Sequence, residues 1–312
     1  MNNLKNLTIV IVTYLTNKKT LVDCLNSIDS GVKIIIVENS KNFEHEKFIL
    51  SRYKNLKIIC TGRNLGYGGG NNYGLKQVET DFAFILNPDS VLDKHFFVNI
   101  DKILNNKDFS VVGCSLRNDL TYITGGFFDE KKNEIFKENL LNNKLKELNE
   151  VDWVTGNSML LNLVNFKDQK YFDENFFLYY EEFDLCFNLR KNEKKIYLSK
   201  LLKVDHIGYK SSELELPDFN LEADKLRNWH WMWSVFYFHK KNYGFSSAFI
   251  KTVDKLLKST LKTLFLHRLS IDNFISHLML PSLNNSSNFH VPSKCTLMFL
   301  LGFDKFILYY LS

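Results

Sequence analysis

The chain has no CxxC pair. Its five cysteines (Cys24, Cys60, Cys114, Cys186 and Cys295) are scattered and odd in number. That excludes a zinc cage of paired thiolates and a disulfide framework, and it fits reduced thiols in a cytoplasmic protein. No uncharged apolar run reaches the roughly 18 residues that a membrane span needs. Cys295–Ser312 comes nearest and is broken by Asp304 and Lys305. Met1–Tyr14 lacks a basic start, a long apolar run and a small-residue cleavage site, so it reads as a strand and not as a signal peptide. A Walker GK[ST] and a well-placed GxGxxG are missing, which weakens a P-loop or dinucleotide reading. There is no internal repeat, and prolines number only four.

What is present is ordinary for a globular protein: 45% hydrophobic and 24% charged residues, which argues against disorder. Aromatics are abundant at 14%, with 27 Phe and 14 Tyr. The net charge of +5 is unevenly spread. From Leu221 onward eleven basic residues face five acidic ones, leaving the body near neutral. A basic C-terminal third points to an acidic surface as partner, membrane or nucleic acid.

Short β-branched runs at Leu7–Tyr14, Val32–Asn39, Leu56–Cys60, Phe82–Asn87 and Ser110–Ser115 alternate with helical patterns at Thr20–Ile28, Glu44–Tyr53, Asn71–Val78 and Lys94–Leu104. Strands apolar on both faces and separated by helices predict a mostly parallel sheet covered on both sides. Ligands of such sheets sit at the carboxyl ends of the strands. That rim holds Thr13-Tyr14, Glu38-Asn39-Ser40, Gly62–Gly74 and Asn87-Pro88-Asp89. Phe127–Glu150 is polar and reads as a solvated excursion. From Pro217 the pattern turns to helices only, which predicts a boundary between an α/β domain over 1–216 and a helical, basic and aromatic region over 217–312.

Four constellations could carry chemistry. Asp89, in LNPDS, stands at a strand's carboxyl end behind a rigid Pro88, which suits a hard divalent cation gripping phosphate oxygens. Asn-Pro-Asp-Ser is also strong turn chemistry. Thr61–Gly74 packs six glycines between a strand and a helix, allowing close backbone approach and N–H groups turned toward phosphate; a flexible loop is the plainer reading. Glu181, Glu182 and Asp184 open a helix, Glu181–Lys191, where acids favour the dipole and where one could serve as general base. Helical spacing puts Glu181 and Asp184 on one face and Glu182 beside it. His206 ends a short strand, Leu202–Asp205, and would be a ligand or phosphate contact beside a metal–diphosphate site.

Taken in order, VIVTY (Val10–Tyr14), VENS (Val37–Ser40), RNLGYGGGNNYG (Arg63–Gly74), LNPDS (Leu86–Ser90), VDWVTGNSMLL (Val151–Leu161), FDENFFLYYEEFDLC (Phe172–Cys186) and HIGYKSS (His206–Ser212) resemble the family-2 glycosyltransferases of GT-A fold, in their rhamnosyltransferase-like branch. The resemblance spans about Leu7 to Ser212. It implies a Rossmann-like α/β fold with a helical C-terminal extension, and inverting transfer from a nucleoside-diphosphate sugar, of the dTDP-rhamnose or UDP-sugar type, to a hydroxyl of a glycan or lipid-linked glycan. It also implies a role in cell-surface polysaccharide or lipopolysaccharide synthesis. It places Thr13, Tyr14, Glu38, Asn39, Arg63, Asn64, Gly66 and Asn71 along the nucleotide, and Asn87, Gly156 and Asn157 against the donor. It gives Asp89 and His206 to a Mg²⁺ or Mn²⁺ diphosphate site and Glu182 to the general base, with Glu181 and Asp184 as alternatives. Asn87 replaces the first acid of the usual DxD, and Glu38 and Glu182 replace the more usual Asp.

The tail adds a second expectation. Over Ser247–Leu266, Phe249, Ile250, Val253, Leu256, Leu257, Leu261 and Leu264 form one stripe, with Lys251, Lys255, Lys258 and Lys262 opposite. Leu226–Lys241 brings three tryptophans alongside. A basic amphipathic helix near Trp and Phe fits peripheral contact with an anionic membrane on the inner face of the plasma membrane. A helix packed on the catalytic domain fits equally. Nucleic acid is not expected, because one lysine stripe is no reading surface. Two other functions compete. A sugar nucleotidyltransferase would have a Gly-rich phosphate loop after the first strand, where TYLTNKK stands instead. A non-catalytic nucleotide-sugar binder would lack the acids at 181, 182 and 184.

Overall fold

The structure is a computed structural model that describes residues 3–105, 108–116, 123–166, 171–206, 217–254 and 257, with side chains in the last long segment from 226. In chain order the elements are β1 (Leu7–Thr13), α1 (Lys18–Asn26), β2 (Lys33–Glu38), α2 (Glu46–Arg52), β3 (Leu56–Cys60), α3 (Gly66–Leu75), β4 (Phe82–Leu86), β5 (Ser90–Leu92) and α4 (Phe96–Leu104). There follow β6 (Val111–Leu116), β7 (Gly125–Gly126), α5 (Glu130–Leu141), β8 (Leu148–Val151), β9 (Trp153–Val154), β10 (Ser158–Asn162), α6 (Glu181–Lys191), β11 (Ile196–His206) and α7 (Pro217–Tyr243). Met1–Asp254 form one compact unit.

The main sheet has the order β3-β2-β1-β4-β10-β6-β11-β5, with β8 beside β11. Strands β3, β2, β1, β4, β6 and β11 run one way and β10, β5 and β8 the other, so the sheet is mostly parallel, as expected. Alternate residues of β1 explain the two covered faces. Leu7, Ile9 and Ile11 meet Leu21 and Leu25 of α1, Ile49 of α2 and Phe96 and Ile100 of α4. Val10 faces the other layer, with Leu75 of α3 and Leu185 and Leu189 of α6. Burying each such side chain contributes on the order of 1.5–3 kcal/mol, which is why a strand apolar on both faces is stable only here.

Two local readings are corrected and a third is refined. The helix after β3 begins at Gly66 instead of Asn71. Glycine resists helix formation by roughly 1 kcal/mol per residue, but packing overrides that cost. A Cβ on Gly70 would meet Val12 at 2.7 Å, and one on Gly74 would meet Val10 at 2.6 Å and Val37 at 2.8 Å. Two of the six glycines therefore let a helix press onto the sheet. The polar stretch 127–150 is largely exposed, as expected, but it is not irregular. It holds α5, capped by Asp129 accepting from Lys132 N, with Phe136 buried edge-on to Phe127. The strand before His206 starts at Ile196, not Leu202, and shifts register between Ser199 and Lys203. The buried Ser199 organises that bulge, its Oγ accepting from the backbone N–H groups of Leu201 (3.1 Å) and Leu202 (3.2 Å).

Candidate active site

Parallel register brings the nucleotide-side residues together. Thr13 and Glu38 end adjacent strands and face each other in register. Both are buried, and Thr13 Oγ1 donates to Glu38 Oε2 at 2.6 Å. Asn39 follows as a hub. Its Nδ2 donates to Gly66 O (2.9 Å) and Asn64 Oδ1 (3.1 Å), and its Oδ1 accepts from Leu65 N (3.0 Å). Asn64 Oδ1 also accepts from Gly66 N at 2.9 Å, so Asn39 and Asn64 together shape the start of α3. Tyr14 and Arg63 are exposed at the same rim. Beside Glu38 opens a cleft of about 340 Å³ lined by Leu15, Asn17, Asn42, Phe43 and His45 among others. Asn71 is different: it is fully buried within α3, its amide donating to Tyr67 O at 3.0 Å.

Antiparallel register builds the diphosphate side. His206 pairs with Ser90, which sets its imidazole beside Asp89 although the two are far apart in sequence. Nε2 of His206 lies 3.2 Å from Oδ1 of Asp89. That carboxylate oxygen is buried and accepts no hydrogen bond. Two lone-pair atoms held side by side at that spacing match neighbouring corners of an octahedron with metal–ligand distances of about 2.1 Å, whose edge is about 3 Å. The residues therefore fit a divalent cation. Among the described residues no three His, Cys, Asp or Glu cluster as a cage, so phosphate and water would complete the shell, as Mg²⁺ prefers. On β10, Ser158 pairs with Leu86, and Asn87 N donates to Asn157 O at 2.9 Å. This places Gly156 and Asn157 against the same loop.

The acids lie across Gly156. A Cβ there would approach Tyr67 at 3.3 Å and Glu182 at 3.4 Å, and the Tyr67 hydroxyl donates to Gly156 O. Burial pushes the Glu181 carboxyl well above the usual carboxylate range, and the Glu182 charge adds to it; its Oε2 has no partner. Burial also raises Glu182, against backbone hydrogen bonds, including one at Gly156, that favour the charged form. Asp184 points away from both, accepting from Lys241 Nζ at 2.6 Å.

Before α6, Tyr179 (φ 71°) and Tyr180 (φ 69°) are both left-handed, a conformation that costs roughly 1–3 kcal/mol per non-glycine residue and clusters at functional sites. Gly66 meets the same segment. Its φ is +76°, and a Cβ would lie 2.2 Å from Phe177 O, while Tyr67 N donates to that carbonyl at 3.0 Å.

Residues 8–162 match the family described as Glycosyl transferase family 2. The chain carries a family-2 glycosyltransferase domain. The family-2 match ends on β10, before α6 and β11, so Glu181, Glu182 and His206 lie beyond it. Over 270 residues the chain is 24% identical to the low-salt glycan biosynthesis hexosyltransferase Agl10 of Haloferax volcanii, covering 84% of this chain and 82% of that one. It is 27% identical over 196 residues to the rhamnosyltransferase WbbL of Escherichia coli K12, covering 55% and 71%. The crystal structure of GalNAc-T7 with UDP, GalNAc and Mn²⁺ superposes with a TM-score of 0.53 at 13% identity, over 66% of this chain and 44% of that one. That likeness shows the GT-A fold alone, and the chain spans less than half the length of GalNAc-T7.

Sequence reasoning misses Tyr67, Asp173 and Lys241. Tyr67 has a faint signal as the one large side chain in a run of glycines. The other two have none, because their partners are distant in sequence.

Proposed function

We propose that the protein transfers a hexosyl or deoxyhexosyl group from a nucleoside-diphosphate sugar to a hydroxyl of a glycan or lipid-linked glycan, with inversion, in cell-surface polysaccharide or lipopolysaccharide synthesis. The observation that carries this is one rim on which Asp89 and His206 converge and Glu182 lies across Gly156. The cleft beside Glu38 would take the nucleobase, with Thr13, Asn39, Asn64 and Arg63 near the nucleoside. Asp89 and His206 would hold Mg²⁺ or Mn²⁺, which when bound neutralises charge on the leaving diphosphate.

Glu182 takes the proton from the acceptor hydroxyl. The hydroxyl oxygen bonds to the anomeric carbon from the face opposite the diphosphate, and the departing electron pair goes to the β-phosphate oxygen. A single displacement inverts the centre, by the geometric logic of an inverting glycosidase with a sugar hydroxyl in place of water. Burial favours the protonated form of Glu181, and a proton there spares the site a second buried charge. Relatives named as a hexosyltransferase and a rhamnosyltransferase support the donor class.

The test is a panel of UDP-, dTDP- and GDP-sugars scored by thermal stabilisation with Mn²⁺, followed by transfer to glycan acceptors. Stabilisation by one donor and transfer from it are expected; no stabilisation by any donor would overturn the reading.

We place the protein in the cytoplasm, peripheral on the inner membrane face. No described helix is long and apolar enough to cross a membrane. Phe245, Phe249 and Ile250 stand exposed on the helical residues 245–254. Lys251 lies on the same stretch, whereas Lys255, Lys258 and Lys262 are outside the described residues. Sedimentation with anionic vesicles at low salt, lost as salt screens the charge, is expected; equal recovery with neutral vesicles would reject membrane contact.

A further inference from the structure

The base sits at the end of a segment that its own backbone barely holds. From Asp173 to Tyr180 the chain is irregular, ends in two left-handed tyrosines and enters α6 with no side-chain cap. From α3, Tyr67 N donates to Phe177 O and Asn72 Nδ2 to Phe172 O and Glu174 Oε1; the rest of what closes the segment comes from α7, far beyond the family-2 match. Lys241 Nζ donates to Asp173 Oδ2 at 2.8 Å and to Asp184 Oδ2 at 2.6 Å. Asp173 opens the segment, and Asp184 lies on α6, one turn past Glu181. A single ammonium therefore bridges both ends of the stretch that presents Glu181 and Glu182.

The bridge is reinforced on each side. Tyr237 OH donates to Asp173 Oδ2 at 3.1 Å, and Asn242 Nδ2 donates to Asp184 Oδ1 at 3.4 Å. Between the ends, Ser234 Oγ donates to Leu178 O (2.9 Å) and Trp233 Nε1 donates to Asn175 O (3.3 Å), while His230 stacks on Phe177. Asp184 is 2% and Asp173 19% exposed as side chains. Burial works against the ammonium, but hydrogen bonds and attraction from the two carboxylates outweigh it, so the Lys241 pKa is raised and its charge persists at neutral pH.

We infer that Lys241 is a positioning residue for sugar transfer: by tying Asp173 to Asp184 it keeps Tyr179 and Tyr180 in their left-handed conformation and aims Glu182 at the acceptor. This rests on Glu182 being the base. It makes α7 part of the catalytic apparatus through its contacts with residues 173–184.

The test uses the full chain with Lys241→Met, Lys241→Arg and the double change Lys241→Met/Asp184→Asn. Three quantities are measured: kcat, donor KM and amide exchange over residues 179–183. Misplacing a reacting group by about 1 Å can cost about 10²-fold, so Lys241→Met should lower kcat by roughly 10- to 100-fold. Its donor KM should stay within about twofold of wild type, because Thr13, Glu38, Asn39 and Asn64 are held by one another and by the start of α3, and exchange at 179–183 should accelerate. Lys241→Arg should recover most of kcat. The double change removes the carboxylate that Lys241→Met would leave buried without a counter-charge, so it should fold, yet it still frees Asp173 and should stay slow. Wild-type kcat in the folded double variant overturns the inference. So does a parallel loss of kcat and donor affinity in both variants, which would make Lys241 merely structural. If the wild-type chain transfers no sugar, the reading of Glu182 fails; unchanged exchange at 179–183 in Lys241→Met overturns the clamp independently.

Discussion

Thr13 and Glu38, on one side of the rim, end neighbouring parallel strands, and the ladder between β1 and β2 sets them opposite each other. Glu181 and Glu182, on the other side, open a helix after two strained residues, with Gly156 against Glu182 and side chains of α3 and α7 holding the segment that precedes them. The first arrangement is set by backbone register, where a slip would move every side chain to the wrong face. The second is set by a few hydrogen bonds and one ammonium, and it can be loosened without unfolding the sheet. A backbone-built binding side and a side-chain-built reacting side should therefore fail in different ways.

Asp89→Ala should give the largest effect. Transfer should fall to background and nucleoside-diphosphate binding should weaken, with the melting temperature little changed. Turnover that survives both this substitution and EDTA would remove the metal from the diphosphate side. Next comes Glu182→Gln, expected to slow transfer by roughly 10²–10⁴-fold, the usual share of a general base, with donor affinity kept. Because burial raises the Glu182 pKa, the rate should climb with pH through an apparent value above 4.5. Wild-type transfer by Glu182→Gln, with collapse in Glu181→Gln, would move the base to its neighbour.

Two glycines sharpen the contrast further. Gly62→Ala and Gly66→Ala both force a side chain into positive φ, but only Gly66 faces an obstacle, the Phe177 carbonyl. Gly62→Ala should cost about 1 kcal/mol and little activity. Gly66→Ala should cost more and slow transfer, because it pushes on the segment that carries the acids; equal effects would separate that segment from α3.

The smallest effect concerns stability. The folded chain holds the Glu181 proton to higher pH than the unfolded chain does, so between the two pKa values the folded state binds more protons and stability falls as pH rises. Glu181→Gln should remove that slope. It should raise the melting temperature at pH 7 by a few degrees, as about 1 kcal/mol does for a protein of this size, and leave it unchanged near pH 4. A lower melting temperature at pH 7 would mean Glu181 is ionised and paired.

The strands were legible because burial on both faces leaves a continuous apolar run, and the parallel rim follows from that alone. Asp89 was legible for the same reason, since it stands just past the end of such a run. The start of α3 was not, because its glycines argue against helix until Val10, Val12 and Val37 are seen beneath them. Nor was α5 legible: it turns only Phe136 fully inward, so no apolar stripe marks it. The partnership of Lys241 with Asp184 spans 57 positions and has no local signature. For Leu226–Lys241 the sequence fits a membrane interface and a packed helix equally, and the structure shows Trp233, Tyr237 and Lys241 gripping the segment 173–184.

The bulge in β11 carries a consequence for how the site tolerates change. Ser199 pairs with Cys114 and Lys203 with the very next residue, Ser115, so a short detour in β11 resets which of its later side chains face which way. The orientation of His206 toward Asp89 is thus a matter of counting. It depends on how many residues the detour contains and hardly at all on which residues they are. Drift in residue type at Lys200 or Leu201 leaves that parity intact, whereas losing a single residue there would turn the imidazole through the sheet and point it at the opposite layer.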